Sequence, residues 1–280
     1  MSAPIATAAS VLRAEFSKIF TVRIWWVLLL VLVGYVAFTA GVLGLVFGGI
    51  GSTLAESGGN VPQLPEAMLP PIVYSIASSI GYVFPVLFGT LATTAEFRHQ
   101  TLTPTFLATP HRGKVLAAKF AALAVVGAGY GVAAVVASVG IGATILSATG
   151  HETGLGETDT WLLLARIVLV MALWATIGVG LGALIPSQVA AIVIVLAFTQ
   201  FLEPILRFAA MTWDWMAGIG QYLPGAASDA FVGSSVFTSL GSATGEVQAL
   251  DWWAGGLVLL AFAVVAGVLG YFTSWRRDVT

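Results

Sequence analysis

The sequence predicts an all-α membrane protein with six transmembrane helices. It adds an amphipathic helix before the first span, a short helix between the second and third, and a re-entrant or interfacial hairpin before the sixth. Three observations carry this. Charged residues make up 9% of the 280-residue chain and hydrophobic ones 58%, whereas a soluble domain carries about 25% charged residues. Apolar runs recur at about 24–49, 71–95, 113–147, 160–184, 187–207 and 252–274, each reaching the roughly 20 residues that a bilayer core demands. Basic residues gather between alternate pairs of these runs.

Before the first span, Ile5, Ala9, Leu12, Phe16 and Ile19 fall on one helical face and Arg13, Ser17 and Lys18 on the other. That pattern suits a helix lying along a membrane surface. The apolar run starting at Ile24 is much longer than a signal-peptide core, so it predicts an uncleaved first span. The third run is long enough for its first turns to stand clear of the membrane. Glycines crowd the spans, as in Gly44 and Gly48, Gly127, Gly129 and Gly131, Gly178, Gly180 and Gly182, and Gly267 and Gly270. Small residues of this kind let membrane helices approach closely. From Met211 to Leu250 the chain mixes Trp, Tyr and Leu with Gly and Pro, too polar to span and too apolar for an open loop. The expected division of this single domain is 1–23, amphipathic helix; 24–95, spans one and two; 96–112, short-helix region; 113–207, spans three to five; 208–251, outer hairpin; 252–280, span six and tail.

Orientation follows from the basic residues. With the N-terminus inside, Arg13, Lys18, Arg23, Arg98, Arg112, Lys114, Lys119, Arg276 and Arg277 fall inside, nine of the eleven Lys and Arg. Only Glu15, Glu96 and Asp278 among the acids join them, and the other ten, Glu56 and Glu246 included, fall outside or near the outer surface. Both termini are therefore expected in the cytoplasm. The chain has no cysteine, which excludes disulfides and thiolate metal sites. Its many Ala, Val and Gly, with Arg outnumbering Lys, point to a GC-rich bacterial genome.

Four of the eleven basic residues lie in one stretch, AEFRHQTLTPTFLATPHRGKVLAAK, Ala95 to Lys119. Thr109 before Pro110 reads as a helix cap and first helical position, and Thr103 before Pro104 repeats the signal one element earlier. A topological signal needs positive charge alone. A Glu at 96, two Thr-Pro steps and spaced Arg and Lys suit a rigid knob that docks on another protein.

This stretch resembles the segment after the second span in bacterial permeases of the type 2 ATP-binding cassette exporter family. Glu96, Phe97, Arg98, Thr101, Leu107, Thr109, Pro110, Arg112, Ala118 and Lys119 match the family's pattern, and Gln100 replaces its usual glycine. The N-terminal RAEFSKIFTVRIWW and the outer QYLPGAA are also similar to that family. The resemblance implies a dimer that works with a separate ATPase, a coupling helix formed by the stretch, and an N-terminal helix packed beside it. It implies that Glu96, Phe97, Arg98, Thr101, Pro110, Arg112 and Lys119 serve coupling. It also implies that spans two and five line the path, which makes Tyr74, Phe84, Pro85, Phe198, Gln200 and Phe201 the candidates there. The expected partners are the ATPase, a second permease copy or a related permease, and the lipid bilayer of a bacterial plasma membrane; nucleic acid is not among them. ATP and Mg would sit on the partner, with no cofactor or metal on this chain.

No catalytic constellation competes with this reading. The phosphate loop G-x-x-x-x-G-K-[ST] is absent: its nearest approach, Gly113-Lys114, is followed by Val115 and has Ala108 at the first glycine position. HETGL at His151 has Leu155 where a zinc protease needs histidine. Arg166, about a turn and a half into span four, is expected to snorkel or pair inside the bundle, with substrate contact as the alternative. Glu203 and Arg207, four apart near the outer end of span five, are expected to pair. An ion-coupled secondary transporter is the alternative function. It would place acids near the midplane, where this sequence has none.

Overall fold

The computed structural model describes residues 7–50, 65–235, 238 and 250–275. Ile5, Glu56, Glu246, Arg276, Arg277 and Asp278 lie outside them. Every regular element among the described residues is helical. Six helices are long and apolar enough to cross a membrane: Ile24–Gly49, Glu66–Arg98, Arg112–Ala148, Thr158–Leu184, Gln188–Ala210 and Trp252–Trp275. They coincide with the six apolar runs to within a few residues at each end.

Helix α1 (Ala8–Thr21) is capped by Thr7, whose hydroxyl accepts the Ser10 N–H at 3.3 Å. Span one is α2 (Ile24–Gly44), which loosens into a π turn at Leu45–Ile50. Span two is broken into α3 (Leu69–Ser79) and α4 (Val83–Arg98). The break has a local cause: Pro85 has no N–H for the carbonyl of Gly81, four residues earlier. A short helix α5 (Leu102–Ala108) leads to α6 (Arg112–Ala148). At 37 residues and 1.5 Å per residue, α6 is about 55 Å long, well beyond a hydrocarbon core of about 30 Å.

Span four is α7 (Thr158–Leu184), the central strut, packed most extensively against α6, α4 and α12 (Trp252–Gly270). Span five is α8 (Gln188–Ala197), capped by Ser187, then a π turn at Phe198–Leu202 and α9 (Glu203–Thr212). The π turn sits just before Pro204, where the regular ladder loses a donor. Short helices α10 (Asp214–Gly220) and α11 (Pro224–Val232) follow. Helix α11 starts at a proline and stops at Gly233, whose φ of 93° only glycine adopts freely. It packs on α12, α7 and α3. Span six, α12, closes in a π turn at Tyr271–Trp275.

Glycine brings α4 and α7 together. A Cβ on Gly178 would lie 2.2 Å from the Val86 carbonyl oxygen, and one on Gly89 would lie 2.2 Å from that of Ala175. Thr90 bridges the same crossing, donating to Val86 O at 2.8 Å and Gly178 O at 3.1 Å. Of the α6 glycines, Gly127 and Gly131 meet α7, while Gly129 has open space beside it. Because the obstruction at Gly178 is backbone, a methyl group there must push the helices apart, and overpacking of this kind costs about 1–3 kcal/mol. Gly178→Ala should therefore lower the thermal midpoint of the purified protein, whereas Gly129→Ala should leave it unchanged or raise it; equal midpoints would contradict this packing.

Candidate functional site

Four charged side chains meet where α1 lies against the C-terminal end of α4 and the start of α6. Lys18 Nζ donates to Glu15 Oε1 at 2.7 Å and to Glu96 Oε1 at 2.8 Å. Lys119 Nζ donates to Glu15 Oε2 at 2.6 Å and to Glu96 Oε1 at 3.0 Å. Each cation thus bridges both carboxylates. Glu15, Glu96 and Lys119 are buried, at 1%, 5% and 2% exposure, and only Lys18 keeps an outlet to solvent. Glu96 Oε2 is buried without a hydrogen-bond partner. A cluster of this kind holds because it is complete: Glu15, Glu96 and Lys119 have lost their water and depend on their partners. Burial would raise the Glu15 pKa, but the Lys119 and Lys18 ammonium groups outweigh it and hold the carboxyl below its ordinary value. Burial would likewise lower Lys18, and the Glu96 and Glu15 carboxylates outweigh it in turn, so its pKa is raised.

The cluster sets the roll of α1 about its axis. Val11, Glu15 and Ile19 form the buried face, because Glu15 must reach Lys119. This corrects the sequence-based face: Ala9 is exposed, and Lys18, expected among the outward polar residues, bends into the cluster. Leu12 and Phe16 do pack against the core as expected.

From Glu96 the chain turns into α5 through a paired C-terminal cap. Thr101 N–H donates to Glu96 O at 3.1 Å and Gln100 N–H to Phe97 O at 3.3 Å. This cap requires a left-handed residue, and Gln100 supplies it with φ 53°, the only non-glycine at positive φ among the described residues. A glutamine therefore holds this turn, against the roughly 1 kcal/mol that such a conformation costs an ordinary residue. Leu102 buries its side chain completely. Trp275, at the end of span six, is also wholly buried, with the rings of Phe97 and Phe106 each 5.8 Å away in edge-on contact. Its indole N–H donates to Arg112 O at 3.1 Å, and the Arg112 guanidinium lies 4.8 Å over the Phe106 ring. The outward residues of this knob include Arg98, Thr101, Thr103, Pro104, Pro110, Lys114 and Leu107, the last 80% exposed. Arg98 also donates to Gln188 at the start of span five, at 3.0 Å.

The helix starts differ from those expected. Thr109 closes α5 instead of capping α6, and α6 begins at Arg112 after His111, with Pro110 in the link. The Trp275 bond to Arg112 fixes that start. Helix α5 begins at Leu102, so Pro104 occupies its first turn, where a missing N–H leaves nothing unpaired. The functional residues missed by sequence reasoning are Glu15, Lys18 and Trp275. The first two stood in the quoted RAEFSK, and Trp275 carried no local signal.

The candidate path residues lie in different settings. Tyr74 is buried and donates to Thr153 O at 2.7 Å; Pro85 is buried, Phe84 lies against Tyr35, and Phe201 is 69% exposed. Phe198 is half-buried, and Gln200 donates to Thr199 Oγ1 at 3.4 Å. Spans two and five do touch through Tyr82, which donates to Thr199 O at 3.1 Å. Nor do Glu203 and Arg207 pair with each other: Arg207 pairs with Asp229 of α11, and Glu203 accepts the Gly225 N–H. The chain folds α11 back over span five, and that supplies both with nearer partners. The Arg166 guanidinium lies 4.9 Å over the Trp252 ring.

Comparison with protein-family models gives no match, and comparison with curated proteins gives none either.

The cluster fixes a pH window for α1. Glu15, with its pKa lowered from 4.5, contributes stability that is fully present above pH 4.5 and is lost as pH falls through the lowered value. Lys18, raised from 10.5, contributes stability that is fully present below pH 10.5 and is lost as pH rises through the raised value. Nitroxide labels at Ser17→Cys and Ala117→Cys, both exposed positions in a chain without cysteine, should report one constant distance between those limits. It should lengthen in acid below pH 4.5; lengthening already near neutral pH would contradict the ion pairing.

Proposed function

We propose that this chain is the permease subunit of a bacterial ATP-binding cassette exporter of the type 2 family. It would pass an amphipathic substrate across the plasma membrane while a separate ATPase subunit binds ATP and Mg. In this reading both termini face the cytoplasm, α1 lies along the inner membrane surface, α5 is the coupling helix, and the segment at α10 and α11 is the outer re-entrant hairpin. A second copy, or a related permease, completes the path, which spans two and five line.

The observation that carries the reading is the way α5 is held. It is a seven-residue helix at one end of the bundle, fixed by a cap at Glu96, by the buried Leu102 and by the Trp275 clasp, yet it presents Leu107 almost fully exposed between cations. A connecting loop needs none of these anchors. A lever that transmits displacement between a nucleotide-driven partner and the spans needs all of them. Glu96 and Lys119, being buried, act by positioning α5 and α1, and Arg112 does so through Trp275 and Phe106. Direct contact with the ATPase falls to Arg98, Thr101, Leu107 and Pro110. The outward apolar faces of spans one and five, including Leu30, Phe38 and Val189, are open to lipid and to a second permease.

The test is co-expression with an ATP-binding cassette ATPase from the same genome, followed by co-purification and hydrolysis measurements in lipid. Leu107→Asp removes no internal contact, so the protein should insert and fold normally. Docking energy concentrates in a few central residues, and a carboxylate buried without a partner in their midst is strongly unfavourable. The variant should therefore lose most of the bound ATPase, or leave hydrolysis unresponsive to substrate. Normal binding and coupling in Leu107→Asp, or transport by the lone chain on an ion gradient, would overturn the proposal.

A further inference from the structure

We propose that a cavity at the end of the bundle opposite α1 binds the headgroup of a zwitterionic phospholipid of the phosphoethanolamine type. The site belongs to this chain alone and does not depend on an ATPase. The cavity has a volume of about 760 Å³, within the roughly 300–1,000 Å³ of small-molecule sites. It is a half-open cleft lined by the start of span two, the link between α6 and α7, the start of α7 and the end of α11.

Its charges are sorted by depth. Glu66, Glu152, Glu157 and Asp159 line it and are exposed. Arg166, eight residues inside α7, lines it from a half-buried position. No carboxylate among the described residues pairs with Arg166. Its contact with the Trp252 face stabilises a cation but leaves the guanidinium donors unfilled. A second group waits beside it: Thr160, only 5% exposed, lines the same cavity, and its hydroxyl has no hydrogen-bond partner among the described residues. A Cβ on Gly154 would lie 3.2 Å from that oxygen, so the glycine leaves the space over the hydroxyl open.

A plain anion entering here is repelled by the rim, and a plain cation leaves Arg166 and Thr160 unmatched. A group with a phosphate inward and a primary ammonium outward matches both layers. The ammonium brings three donors to the carboxylates, and the phosphate accepts charge-assisted bonds from the guanidinium. The source is at hand. Trp161, Leu162 and Trp252, at 60%, 50% and 52% exposure, surround the site on the outer surface of the bundle, and tryptophan favours the headgroup level of a bilayer.

Native mass spectrometry of the purified, delipidated chain tests this. Dioleoyl phosphatidylethanolamine should bind at least about tenfold more tightly than dioleoyl phosphatidylglycerol, the equivalent of one charge-assisted contact. Arg166→Gln should erase most of that binding, and Thr160→Val should weaken it by a smaller factor. The double variant Glu157→Gln with Asp159→Asn should weaken phosphatidylethanolamine and strengthen phosphatidylglycerol, a reversal that misfolding would not produce. Equal binding of the two lipids by the unaltered chain, or unchanged binding in Arg166→Gln with a normal thermal midpoint, would overturn the site. Displacement of the lipid by ethanolamine alone would overturn the zwitterion in favour of a simple cation. Displacement by glycerophosphoethanolamine at equal concentration would overturn the lipid as its source.

Discussion

Two buried carboxylates, the buried Lys119 ammonium and the half-exposed Lys18 hold α1 to the rest of the molecule, and the architecture of that end depends on them. At 14 residues, α1 is near the length below which an isolated helix is marginal in water, and its few apolar contacts leave its roll about its own axis loosely set. Glu15 removes that freedom, because it reaches both Lys18 and Lys119 in one orientation only. Removing one member of such a cluster leaves the others desolvated and uncompensated, at about 3–5 kcal/mol. The unpartnered Glu96 Oε2 marks where the arrangement is least satisfied, and it lies on the strand of chain that leads directly into the α5 turn.

From that anchor the geometry spreads along covalent and packed connections. Glu96 supplies both a carboxylate to the cluster and the carbonyl that caps α4, so the position of α1 and the exit angle toward α5 are set by the same residue. Trp275 then closes the other side, tying Phe97, Phe106 and Arg112 to the end of span six. The α4–α7 crossing, tightened by Gly89 and Gly178, carries these constraints through the middle of the bundle. At the far end a second polar knot forms as Glu203 accepts from the backbone of α11 and Arg207 pairs with Asp229. Span two connects the two ends, and its break near Gly81 and Pro85 divides it into segments that meet different neighbours.

The six spans were legible in the sequence because length and hydropathy are local properties. So was the presence of a constrained element between spans two and three, since two Thr-Pro steps and a lone Glu are visible at short range. The cluster itself was not legible. Glu15 and Lys119 are 104 positions apart, and each reads locally as an ordinary member of a charged flank. Lys18 was placed outward by its helical position, which ignores the reach of a four-carbon stem. The pairing of Glu203 with Arg207 followed from i,i+4 spacing and failed because α11, remote in sequence, brought Asp229 and Gly225 closer. The start of α6 slipped by two residues because Trp275, not Pro110, fixes it. Gln100 at φ 53° carried no local signal either, since a glutamine does not mark a left-handed turn.

The claim that the buried ions hold α1 in place is tested most directly by a double-mutant cycle between Glu15→Gln and Lys119→Met. The quantity to measure is the free energy of α1 docking, taken from the docked fraction in label–label distances at neutral pH. If the two side chains bridge as described, each single change should release α1, and the pair should show a coupling energy of about 2 kcal/mol or more. Effects that add to within about 0.5 kcal/mol would mean that α1 is held by its apolar face alone, and would contradict the account.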